Sequence, residues 1–168
     1  MEFIEREIEP LVYSSMRLVK SEDLNHHGTL FAGRTAEWFA SCKLNIFTEI
    51  TRSREFELLV YSRILISRGR LQDAGLVLQR LLTFTENGRL HSRVEILNLL
   101  ALLAFHKNDL PGMENYLESS LLIGMKEGYV RSYLDESTPM ANLLGYYATR
   151  KRKTTDQYIE LKQYARKL

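Results

Sequence analysis

Apolar residues follow two different periods along this chain. The run Leu11-Val12-Tyr13-Ser14-Ser15-Met16-Arg17-Leu18-Val19 is rich in β-formers and alternates imperfectly, as a half-buried strand does. A polar loop follows over 21–29, and from Arg34 onward the period is helical. A first helix is predicted from Arg34 to about Phe47, with Ala36, Phe39, Ala40, Leu44 and Phe47 near one stripe. A second runs from Arg54 to Arg68 and ends at Gly69, a left-handed cap. The third, Leu71 to Glu86, stops at Asn87-Gly88, and the fourth spans Leu90 to His106. Asp109 suits the N-cap of the next helix, with Pro111 in its first turn and Gly128 at its end. After a short segment over 129–134, two more helices are predicted, around Thr138 to Thr149 and Thr155 to Leu168.

Part of this pattern repeats at an offset of 39 residues. Leu71, Ala74, Leu78 and Leu82 align with Leu110, Met113, Leu117 and Leu121, and the preceding helices align Leu58 with Leu97 and Ile64 with Leu103. A helix–turn–helix unit of this length is the signature of a tetratricopeptide-like solenoid, whose units stack because none can bury its apolar face alone. A non-repetitive helical bundle is the alternative, since two copies are few.

Composition is that of an ordinary globular chain, with 45% apolar and 26% charged residues in 168. The single cysteine, Cys42, excludes an intramolecular disulfide and a cysteine-rich zinc site, so a reducing, cytoplasmic setting is expected. The acidic start lacks a signal-peptide profile, and the longest apolar run, Leu99 to Phe105, is far short of a membrane span. Residues 150–168 hold seven Lys/Arg and two Asp/Glu, a local +5 against the chain's overall +2. The run Arg150-Lys151-Arg152-Lys153 could touch phosphate, or simply form a solvated loop before the last helix.

Several stretches carry a resemblance. Ala36-Glu37-Trp38-Phe39, Arg54-Glu55-Phe56-Glu57-Leu58-Leu59, Leu71-Gln72-Asp73-Ala74 and Val94-Glu95-Ile96-Leu97 are among them. The most specific is Glu127-Gly128-Tyr129-Val130-Arg131-Ser132-Tyr133-Leu134-Asp135-Glu136, followed by Pro139-Met140 and Leu143-Leu144. Together they resemble the tetratricopeptide-like domain of MalT-type, LuxR-family ATP-dependent transcriptional regulators over about residues 36–168. The resemblance implies a superhelical sensor of a small inducer or a partner protein. In the family that domain lies between an ATP-binding module and a DNA-binding helix-turn-helix. No Gly-x-x-x-x-Gly-Lys-Ser/Thr loop occurs here and no recognition helix follows, so neither ATP hydrolysis nor direct DNA binding is expected.

The start of the chain resembles something else. Asp23-Leu24-Asn25-His26-His27-Gly28-Thr29-Leu30-Phe31-Ala32-Gly33-Arg34, running into Ala36-Glu37-Trp38, is similar to the start of a hotdog-fold acyl-CoA thioesterase over residues 3–40. That resemblance implies Asn25 at the water-holding position and Glu37 near a helix acid. It also implies a helix N-terminus near Gly33 polarising the thioester carbonyl. The fold also needs several strands after its helix, and the sequence beyond Phe47 offers capped helices instead. A natural fusion, an engineered chimera or a truncated gene would each join two such parts.

Other chemistry is sparsely marked. His26 and His27 are adjacent and would point to opposite sides in an extended segment. His91 and Glu95 are i, i+4 on a helix, a spacing that binds zinc, but no third ligand is patterned nearby and an ordinary surface contact is favoured. His106 suits a helix C-terminus, and Cys42 reads as a small packed hydrophobe. Tyr129, Tyr133, Tyr146, Tyr147, Tyr158 and Tyr164 crowd the last third beside Arg131 and Arg150. Aromatics with arginine suit a recognition surface, and equally the seams between stacked repeats.

The expectation is therefore an all-α, tetratricopeptide-like helix-repeat superhelix over 36–168, preceded by a short irregular or β segment over 1–35. The expected function is non-catalytic binding of an inducer or partner protein in the repeat groove, as the sensor domain of a transcriptional regulator. Tyr129, Arg131 and Tyr133 are the candidate contacts, with self-association a further prospect and no metal, cofactor or membrane. The competing expectation is an incomplete thioesterase using Asn25, Glu37 and Gly33, or a fusion with no native activity.

Overall fold

The computed structural model describes residues 43–86, 88–150 and 155–168. Among these residues there are seven helices and no β-strand. They are α1 (Glu55–Ser67), α2 (Leu71–Phe84), α3 (Leu90–His106), α4 (Leu110–Glu127), α5 (Arg131–Leu134), α6 (Ser137–Thr149) and α7 (Asp156–Lys167). The chain divides into two compact units between Arg80 and Leu81. No helix among the described residues is long and apolar enough to cross a membrane.

The all-α expectation holds, and the hotdog-thioesterase resemblance is overturned. A hotdog fold wraps several strands around its helix, and the described residues after Phe47 form helices α1–α7 joined by turns and loops, with no strand among them. Apolar residues there recur every three or four positions, which gathers them on one side of a helix, whereas a strand needs alternation. The strand expected over 11–19, the positions Asn25, Gly33, Glu37 and Cys42, and the boundary near residue 35 lie outside the described residues.

A second correction concerns the helix expected to reach Phe47, because residues 43–53 form turns and irregular chain. Lys43 takes φ 49°, which a right-handed helix does not admit. The Asn45 carboxamide then accepts the Phe47 N–H at 2.8 Å, and the Thr48 hydroxyl accepts the Asn45 N–H at 2.9 Å. These side-chain bonds replace helical ones. In the same unit Arg80 clamps this loop, donating to the carbonyls of Ile46 (2.6 Å) and Thr48 (3.0 Å).

The 39-residue repeat of the sequence is reproduced in the backbone. Helix ends Ser67 and His106 are 39 apart, as are helix starts Leu71 and Leu110. Between α1 and α2, Arg68 N–H donates to Ile64 O (3.0 Å), Gly69 N–H to Ile66 O (3.0 Å) and Arg70 N–H to Leu65 O (2.9 Å). Between α3 and α4 the equivalent bonds run from Lys107 to Leu103 (3.1 Å), Asn108 to Phe105 (3.1 Å) and Asp109 to Ala104 (2.9 Å). Gly69 and Asn108 hold the left-handed conformation this closure requires, at φ 71° and 58°. Each turn then restarts a helix with the same bond, Ala74 N–H to Arg70 O and Met113 N–H to Asp109 O.

Burial repeats as well. Residues 58–65 of α1 and 97–104 of α3 are buried throughout, so both helices are covered on every side there rather than along one stripe, with Ser62, Arg63 and Asn98 among otherwise apolar residues. Ala74 and Leu78 on α2 are fully buried, as are their counterparts Met113 and Leu117 on α4. In the second unit, α3 lies along α4, α7 packs on α4 and α6, and α5 bridges α3 and α6. Val94, Ala101, Met113, Leu117, Leu121, Met140, Leu143 and Leu161 form the centre of that core.

Candidate functional site

Of the three candidate contacts, Tyr133 is the most constrained. It lies on α5, is 1% exposed, and crosses α4 at Gly124, where a Cβ would fall on the phenol. Its hydroxyl donates to the Ser120 carbonyl at 2.8 Å. Ser120 Oγ lies 3.0 Å from the same hydroxyl and 2.6 Å from Asn98 Oδ1, while Asn98 Nδ2 donates to Ser132 O at 3.0 Å. Burial drives the Tyr133 hydroxyl well above the ordinary phenol value, so it stays a donor. Tyr129 is half-buried, its ring edge-on to His91 at 5.4 Å, and its carbonyl accepts from Tyr164 at 3.3 Å. Arg131 is exposed and meets Asp135 at 3.5 Å.

A second aromatic cluster closes the far end of α6. Tyr147 is buried, T-shaped against Tyr158 at 5.6 Å, and donates to Glu118 Oε1 at 3.3 Å. Burial, then the Glu118 carboxylate, raises its hydroxyl far above the ordinary value. Arg150 meets the buried Glu114 carboxylate at 2.8 Å and donates to the Tyr146 hydroxyl at 3.1 Å. Three donors of α7 turn to the last carbonyls of α6 and its cap. Lys162 Nζ and Tyr158 Oη reach Arg150 O at 2.6 and 3.3 Å, and Arg166 Nη2 reaches Ala148 O at 3.4 Å. Cations there face the negative end of the helix dipole.

Between these two clusters, α5, α6 and α7 enclose an open groove of about 380 Å³. Tyr133, Leu144, Ala148 and Ala165 are its buried walls, and Leu134, Ala141, Gly145 and Arg166 its exposed ones. Ser137 takes φ 55° and turns the chain from α5 into α6 at the groove edge. Such a volume sits at the small end of ligand pockets, roughly 300–1,000 Å³. A mostly apolar wall with one guanidinium can hold an apolar group and orient an anion beside it.

The sequence reading named Tyr133 but missed Leu134, Gly145, Ala148 and Arg166. One signal was available, because Ser137–Thr149 has no charged residue over 13 positions, unusual for a helix with an exposed face. The candidate pair His91 and Glu95 gains no third ligand, and among the described residues no three His, Cys, Asp or Glu side chains could hold a metal ion. His91 Nε2 instead lies 3.3 Å from Ser132 Oγ. No family profile, no curated protein and no solved structure matches the chain, so the resemblance to MalT-type regulators has no counterpart in these comparisons.

Proposed function

We propose that this chain is a non-catalytic binding module, a tetratricopeptide-like helix-repeat domain that holds a ligand or partner protein, as the sensor part of a transcriptional regulator would. The observation that carries the reading is the turn repeated bond for bond at a 39-residue offset, with Gly69 and Asn108 in the same left-handed conformation. Repeated helix pairs present side chains at regular intervals on surfaces suited to binding, and a chain so built needs no catalytic constellation. The mechanism is population shift: a ligand that prefers one arrangement of the helix pairs draws the chain toward it.

The test is a melting series on the full chain with sugars, nucleotides and helical peptides. One ligand class is expected to raise Tm saturably, by about 5–10 °C at a hundredfold excess over Kd, without being consumed. Turnover of the ligand that shifts the melt, or no shift with any class, overturns the reading.

A further inference from the structure

We propose that the groove formed by α5, α6 and α7 is a docking site for an acidic amphipathic helix of a partner protein. An apolar side chain of that helix enters the groove and a carboxylate meets Arg166. The inference rests on the binding-module reading and names its surface and partner.

Three independent features support it. The groove is preformed, because its Tyr133 wall is fixed by the Ser120 bonds and its Leu144, Ala148 and Ala165 walls are buried. It opens onto a face of α6 made of Thr138, Ala141, Asn142 and Gly145, all exposed and none charged. Side chains this short let a second helix axis approach closely, and Leu134, 55% exposed, adds apolar surface beside them.

Charge selects the partner. Arg150 is engaged by Glu114, and the Lys162 ammonium by the Arg150 carbonyl. Arg166 lines the groove with a 3.4 Å bond to the Ala148 carbonyl and, among the described residues, no carboxylate. With α6 neutral and Arg166 lining the groove, on a helix where Lys162, Arg166 and Lys167 outnumber Asp156 and Glu160, a basic helix would be repelled and an acidic one drawn in.

The experiment uses the full chain and two fluorescein-labelled peptides of about 16 residues, long enough to form a helix on binding. Both carry Leu at helical spacing on one face; the remaining positions are Glu in one and Lys in the other. Anisotropy is expected to show saturable binding of the Glu peptide and binding of the Lys peptide weaker by about tenfold or more. Gly145→Trp adds a bulky side chain at an exposed groove position where a Cβ meets nothing within 4 Å, and should block the groove. It should weaken the Glu peptide by about tenfold with Tm unchanged. Arg166→Glu should invert the preference between the peptides, which a merely structural arginine would not do.

Equal binding of both peptides, no binding of the Glu peptide, or no inversion overturns the proposal. Binding untouched by Gly145→Trp overturns the groove assignment while the module reading stands, since the melting series tests that reading separately. Self-association that Gly145→Trp abolishes gives the groove to a second copy and overturns the acidic partner.

Discussion

The connections α1–α2 and α3–α4 are held in a different way from the contact between the end of α6 and α7. In the first two, three consecutive backbone N–H groups close the turn on the helix they leave. Only one residue in each needs a special conformation, and Gly69 and Asn108 supply it with unrelated side chains. In the third, Arg150 leaves α6 in an extended conformation and the exposed carbonyls are met by side chains of the next helix, Tyr158, Lys162 and Arg166. A backbone-closed turn tolerates varied sequence and can therefore be copied along a chain. A contact made by side chains depends on particular residues, and this one has no twin among the described residues.

The largest test of the repeat is in its cores. Leu78 and Leu117 are equivalent and both fully buried. Truncating either to Ala should cost about 3 kcal/mol in urea unfolding, through lost transfer energy and the cavity left behind. A cost at Leu78 several-fold below that at Leu117 would show that the two pairs share a turn but not a packed interior.

The equivalence ends at Gly124, whose counterpart 39 residues earlier is Thr85. Thr85 is fully buried and its hydroxyl donates to Leu82 O at 2.9 Å, so a side chain fits there. At Gly124 the Tyr133 ring takes that space, with two ring carbons 2.9 Å from where a Cβ would stand. Gly124→Ala should therefore lose about 2 kcal/mol net, overpacking outweighing the better helix propensity of alanine. The same variant should push the Tyr133 ring toward solvent, and the relief of its burial should show as earlier ionisation in an alkaline tyrosine titration. Stability unchanged or raised in Gly124→Ala would place the ring elsewhere.

These examples show what the sequence could and could not reveal. Helix ends were legible because they are local: Gly69, Asp109, Pro111 and Gly128 each act within one turn of themselves. The repeat was legible because apolar spacing survives substitution. The network around Tyr133 was not, since Asn98, Ser120 and Ser132 join it from 13 to 34 residues apart. Nor was the groove, which exists only where three helices meet. The thioesterase resemblance misled for a related reason: it matched a short local motif, while the fold it implied depends on strands that distant residues would have to supply.

The contact between α7 and the end of α6 should feel the loss of one side chain. Lys162→Met keeps an unbranched apolar stem but removes the ammonium, which meets Arg150 O and lies 5.2 Å from the centre of the Tyr158 ring. A charge-assisted bond of this kind contributes about 1.5–3 kcal/mol, so thermal unfolding should show a loss near the low end, with the Tyr158 hydroxyl as partial substitute. An unchanged melt would mean that this carbonyl is served as well by water, and that the contrast with the repeated turns is one of form only.

The smallest effects should fall on the repeated turns, and their signs are opposite. Gly69→Ala forces a Cβ into φ 71°; nothing lies within 4 Å to clash, so the cost is the local left-handed conformation, about 1 kcal/mol. Asn108 already bears that cost in reduced form, because asparagine enters this region more readily than most residues. Asn108→Gly should therefore be neutral or gain a few tenths of a kcal/mol, the relief of the folded backbone being set against the greater freedom glycine gives the unfolded chain. Hydrogen exchange at the Arg70 and Asp109 amides reads the two turns separately, since each donates the bond that closes its own turn. Faster exchange at Arg70 in Gly69→Ala, with Asp109 exchange unchanged in Asn108→Gly, is the result that two turns of one backbone design require. Loss of protection at Asp109 in Asn108→Gly would instead give the Asn108 side chain a role that the glycine of the first turn never had.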